Sequence, residues 1–141
     1  MPSNIRLSWL VVVVLAGASY GFIGIVFALP STHVRMWRLA AWIASGIVYA
    51  AHITYERYQL HNRPLTTALH AAAAVALGAF LLAVGATVHA AMVPSHAPFW
   101  RFRIALVVWP IITAVPAFVV AFIFASLLTR LPGNRFLGRD L

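Results

Sequence analysis

Four long apolar stretches, at about 8–29, 39–59, 67–93 and 102–128, leave this chain few ways to fold. A hydrocarbon core about 30 Å thick takes about 20 helical residues to cross, and each stretch is near that length. Inside a bilayer only helices and closed barrels satisfy their own backbone hydrogen bonds. The apolar runs are continuous and do not alternate, which excludes a barrel. The expected fold is therefore an all-α membrane protein: one transmembrane domain over 1–141, built as a four-transmembrane-helix antiparallel bundle. The antiparallel arrangement follows from three short connections.

Composition agrees with a lipid environment. Hydrophobic residues make up 63% of the chain and charged residues 9%, far below the quarter or so that a soluble surface carries. There are no cysteines, which excludes disulfides and thiolate-bound metals and clusters. All ten basic residues are arginines, placed singly or in pairs at the ends of the apolar runs. Arginines there snorkel to the membrane interface, so the net charge of +8 does not point to nucleic acid. With four spans, Arg6, Arg57, Arg63, Arg130, Arg135 and Arg139 share one side, and Arg35, Arg38, Arg101 and Arg103 the other. The excess places both termini in the cytoplasm of a bacterial inner membrane. Arg6 followed by "LSWLVVVVLAGA" also has the form of a signal peptide, with Ala16, Gly17 and Ala18 as cleavage residues. The apolar run continues past that point, so a retained helix is expected.

Small residues indicate how the helices pack. Gly17, Gly21 and Gly24, then Ala28, form a stripe in the first span, and Gly17 and Gly21 have GxxxG spacing. Such spacing serves a contact within the bundle or a homodimer seam. Gly78 and Gly85 lie seven apart in the alanine-rich third span, which is expected to be central. Pro110 and Pro116 each remove a backbone donor inside the fourth span and predict a fixed kink there.

The polar residues within the spans are few. Ser45, Tyr49, His52 and Glu56, spaced four, three and four apart, share one face of the second helix. An ionisable residue within a span is a candidate functional group by default. At 1.5 Å per residue, Glu56 lies about 12 Å from the midplane, His52 about 6 Å and His70 about 13 Å on the same side. Glu56 and His70 are then level across the hairpin closed by "HNRP", and they are the expected cross-helix pair.

Three readings of this cluster follow. His52 and His70 could ligate a b-type haem, although about 7 Å in height separates them. His52, Glu56 and His70 could form a proton, ion or metal site, although no second acid lies deeper in the membrane. Alternatively the cluster is structural, with Glu56 pairing with Arg63, His70, Arg6 or Arg130 and the tyrosines and His52 satisfying one another.

At the opposite pole, His89 with His96 or His33 could bind a surface metal or simply sit at the interface, and Arg101 and Arg103 suit lipid phosphates. Glu56 and Asp140 are the only acids, too few for two-carboxylate catalysis, and no nucleophile elbow, phosphate loop or HExxH is present. The chain is expected to be a non-enzymatic membrane component without a metal or cofactor. Its expected partners are the lipid bilayer and other membrane subunits or copies of itself. A small proton, ion or metal carrier is the alternative, and a haem protein the second alternative.

Overall fold

A computed structural model describes residues 8–92 and 98–130 and arranges them in four helices: α1 Trp9–Ala28, α2 Val34–Tyr58, α3 Pro64–Met92 and α4 Phe99–Arg130. Arg6, Pro94, His96, Arg135, Arg139 and Asp140 lie outside the described residues.

Local chemistry sets several of the helix ends. Ser8 caps α1, its side chain accepting from the Val11 amide at 3.4 Å. The turn into α2 passes through His33, whose φ of 53° lies in the left-handed region. Pro64 opens α3, where its missing N–H is no loss because a first-turn amide has no intrahelical partner. α4 runs unbroken through Pro110 and Pro116. Between them, the Thr113 hydroxyl bonds back to the carbonyls of Trp109 at 2.9 Å and Pro110 at 3.0 Å.

α3 is the central helix. It packs along α1 on one side and α4 on the other, and α1 and α4 do not meet among the described residues. α1 and α3 run parallel: Gly17 lies at Leu77, Gly21 at Leu81 and Gly24 at Leu82. The alternating directions are those of an up-and-down bundle. α2 packs chiefly on α1, with smaller contacts to α3 and α4.

The α1–α3 crossing explains the glycines. A Cβ added at Gly78 would stand 2.5 Å from the Tyr20 Cβ and 3.1 Å from the Gly17 carbonyl oxygen. The GxxxG pair of α1 is thus used inside the chain, against α3. Gly85 does not belong to this seam, contrary to the expectation from its spacing. A Cβ there would meet nothing within 4 Å.

Alanine dominates the two buried clusters. One joins Val13, Ala16, Tyr20 and Ala74; the other joins Ile53, Ala68, Ala71, Ala121 and Ala125. Small side chains let the backbones approach, so packing contacts rather than bulky cores hold the helices together. Burial fades along the first half of α2, where Met36, Leu39, Ile43 and Ile47 are exposed and Trp42 is 80% exposed.

Three helices, α1, α3 and α4, are long and apolar enough to cross a membrane. α2 is not among them, so length and composition do not show 39–59 as a span. Arg35 and Arg38 begin this helix and His52, Glu56 and Arg57 end it, so its apolar middle is short. α3 and α4 start earlier than their apolar runs, at Pro64 rather than residue 67 and at Phe99 rather than 102. Helical backbone bonding continues past the hydrophobic limit, which periodicity alone does not reveal.

Candidate functional site

The polar face of α2 is divided between two environments. Toward the start of the helix, Ser45 and Tyr49 line an interhelical cavity; toward its end, His52 and Glu56 are buried in a polar cluster. Tyr49 marks the boundary. Its hydroxyl donates to the Ala117 carbonyl of α4 and ties α2 to α4.

Glu56 is the hub of the cluster and is fully buried. His70 Nδ1, from α3, lies 2.8 Å from Oε1 and 2.9 Å from Oε2. Asn62 donates through Nδ2 to Oε2 at 2.8 Å, and its backbone amide donates to the Glu56 carbonyl at 3.2 Å. His52 Nε2 stands at 3.4 Å from Oε1, one helical turn back. An ionised carboxylate only accepts hydrogen bonds, so the proton of His70 is assigned to Nδ1. A carboxylate bonded on both oxygens is the usual condition for tolerating burial.

The surroundings hold each of these groups in place. His61 adopts a left-handed φ of 54° and turns the loop back on itself, which brings Asn62 over the end of α2. The Arg57 guanidinium donates to the Asn62 carbonyl. The His70 ring stacks on Trp9 of α1, with centroids 4.8 Å apart and planes 12° from parallel. The cluster therefore links α1, α2 and α3 at one end of the bundle. Buried polar atoms with no partner remain beside it: His52 Nδ1, Arg57 Nε and the hydroxyl of Thr67.

This arrangement bears on each chemical reading. His52 and His70 both point at Oε1 of Glu56, within 3.4 Å and 2.8 Å. The carboxylate therefore occupies the place an iron between two imidazoles would need, which does not fit a haem clamp. No group of three His, Cys, Asp or Glu among the described residues is arranged to hold a metal ion. Here the acid's oxygens are taken up by the imidazoles and the amide, leaving no common outward point for a cation. Of the candidate partners for Glu56, His70 is the one that meets it; the structure gives it no arginine among the described residues. His52 and the tyrosines do not satisfy one another. Tyr49 turns to a backbone carbonyl, and the buried hydroxyl of Tyr20 has no partner.

Sequence reasoning missed Asn62 and Trp9. Asn62 sits in the quoted "HNRP" turn, and an amide beside a buried acid was the available signal. Trp9 lies 61 residues from His70 in the chain, and nothing local couples them. The cavity was also missed. It measures about 570 Å³ and lies between all four helices, bounded by Tyr20, Trp42, Ser45, Tyr49, Gly78, Trp109, Thr113 and Pro116 among others.

No protein-family model matches the chain, and no curated protein or solved structure matches it.

Proposed function

We propose that this chain is a non-enzymatic component of the bacterial inner membrane, a small subunit or oligomeric scaffold, with four spans and both termini in the cytoplasm. The observation that carries the reading is the closure of the Glu56 cluster. Both carboxylate oxygens are engaged by groups of the same chain, so the most polar point of the bundle serves as a latch between helices. The exposed apolar face of α2, with Met36, Leu39, Trp42, Ile43 and Ile47, suits lipid or a neighbouring membrane helix.

The parallel course of α1 and α3 supports α2 as the fourth span. If two adjacent parallel helices both cross the bilayer, the connecting segment must return from one face to the other. α2 has 25 residues and so reaches about 37 Å at 1.5 Å per residue, enough for that return. Its arginines at the start and Arg57 at the end would then snorkel to opposite interfaces. Isolation in mild detergent tests the subunit reading. Co-isolation of a membrane partner, or a defined oligomer, is the expected result; a lone monomer without a partner contradicts it.

A second reading, proton or ion transfer along α2, is favoured by the continuity of Ser45, Tyr49, His52 and Glu56 from the cavity to the cluster. Flux in proteoliposomes that falls on Glu56→Gln would support it. Unchanged flux removes Glu56 from any such path.

A further inference from the structure

Two helices begin at the same end of the bundle. The Tyr49–Ala117 bond and the packing of Ile53 with Ala121 and Ala125 tie α2 to α4. Residue numbers rise in the same direction along both, so the two helices are parallel and their first turns share one end. At 1.5 Å per residue, Arg35 and Arg38 stand about 21 and 16 Å before Tyr49 along α2, and Arg101 about 24 Å before Ala117 along α4. The three arginines thus leave their helices within a band about 8 Å deep. All three are exposed. Neither helix has an acid in its first turn, and His33 gives α2 no side-chain cap, so the positive ends of both helix dipoles add to the same charge. Glu56, the only acid among the described residues, lies about 27 Å beyond Arg38 along α2. Arg101 rests over Trp100, its Cζ 5.8 Å from the ring centre, a contact that leaves its N–H donors unspent. Arg103, in the same turn, has an interaction of its own and is left out of the site.

Uncompensated positive charge at two helix N-termini calls for an anion, and the arginine fork matches phosphate. The same stripes of the helices lead down to a seat for hydrocarbon. Arg35, Arg38 and Trp42, three and four apart, fall on one face of α2. Arg101 precedes Ile112 of α4 by eleven residues, about three turns. Trp42 and Ile112 are exposed walls of the groove between α2 and α4, whose lining holds no Asp, Glu, Lys, Arg or His. Cations therefore stand at the head of an apolar groove that faces lipid. A soluble anion gains nothing from the groove, and a zwitterionic headgroup already balances its own phosphate. We propose that α2 and α4 together bind an anionic phospholipid, with its phosphate held by Arg35, Arg38 and Arg101 and an acyl chain lying in the groove past Trp42 and Trp109. The proposal rests on the chain being embedded in a bilayer, and it is independent of attached subunits and of which leaflet the site faces.

The test reconstitutes the full chain in vesicles of phosphatidylcholine with increasing phosphatidylglycerol, one or the other brominated on its acyl chains. Bromine quenches the tryptophans it touches, and Trp42 and Trp109 line the groove. Brominated phosphatidylglycerol is expected to quench beyond its mole fraction and to saturate, with a preference over phosphatidylcholine of at least about tenfold. The excess should vanish in the double variant Trp42→Phe/Trp109→Phe, which places the acyl chain. Arg38→Gln and Arg101→Gln should each lower the preference about three- to fivefold, and Arg130→Gln, at the opposite pole, should leave it unchanged. These side chains are exposed, so thermal midpoints should be retained; Arg35→Gln replaces either site variant that does not fold. Quenching in proportion to mole fraction overturns the proposal. So does an equal loss in Arg130→Gln, which would mean general attraction of anionic lipid to a basic protein. Loss of the preference in inorganic phosphate, against chloride at the same ionic strength, overturns it in favour of a soluble anion. A chain that inserts into vesicles and shows no preference overturns this proposal alone, whereas failure to insert overturns the membrane reading beneath it.

Discussion

Glu56 ties together side chains from α2, the following turn and α3. It receives His70 and Asn62 at 2.8 Å each and has His52 at 3.4 Å, and it is fully buried. Glu56→Gln preserves the shape but replaces one acceptor oxygen with a donor that faces Asn62 or His70. Hydrogen bonds to a charged group contribute about 1.5–3 kcal/mol each, and a loss of that order is expected in detergent unfolding. A double-mutant cycle of Glu56→Gln with His70→Phe should return a coupling of about 1 kcal/mol or more, as contacting residues in one network do. Additive effects would mean that the pair is not an interaction in the folded protein. Trp9→Ala removes the ring stacked on His70 and should cost at least about 0.5–1.5 kcal/mol. The Glu56–His70 pair was legible in the sequence because helical rise and hairpin length set two residues level. Asn62 was not, since its position depends on a left-handed His61 that composition does not announce.

The crossing of α1 and α3 decides the architecture at the level of whole helices. Gly78→Ala places a methyl 2.5 Å from the Tyr20 Cβ and 3.1 Å from a backbone oxygen, and neither can retreat without parting the helices. Overpacking of this kind costs about 1–3 kcal/mol. Gly85→Ala and Gly46→Ala meet nothing within 4 Å and should be neutral or stabilising by up to about 1 kcal/mol from helix propensity. Thermal midpoints of the three variants check the contrast, and a Gly78→Ala protein as stable as Gly85→Ala would contradict the crossing. The small-residue stripe of α1 was visible from sequence, but its partner was not. GxxxG spacing states that something approaches closely, and only the three-dimensional register shows that α3 does. Gly85 shares the composition of its neighbours and none of their contacts.

For the whole molecule, the order of helices was readable and the standing of α2 was not. Apolar length located α1, α3 and α4 as candidate spans. Charged residues at both ends of α2 blur the same signal, and tertiary position has to supply what hydropathy does not. The proposed four-span arrangement rests on α1 and α3 running side by side in one direction: if both cross the bilayer, α2 has to carry the chain back. The absence of native cysteine permits a direct test with single-cysteine variants at two exposed positions on either side of α2, Ser31→Cys and Gln59→Cys. Labelling with a membrane-impermeant thiol reagent in spheroplasts and in everted vesicles reads the side of each. Gln59→Cys is expected to react only from the cytoplasmic face and Ser31→Cys only from the opposite face. Reaction of both from the same face would contradict the account, because α2 would then lie along the membrane surface instead of crossing it.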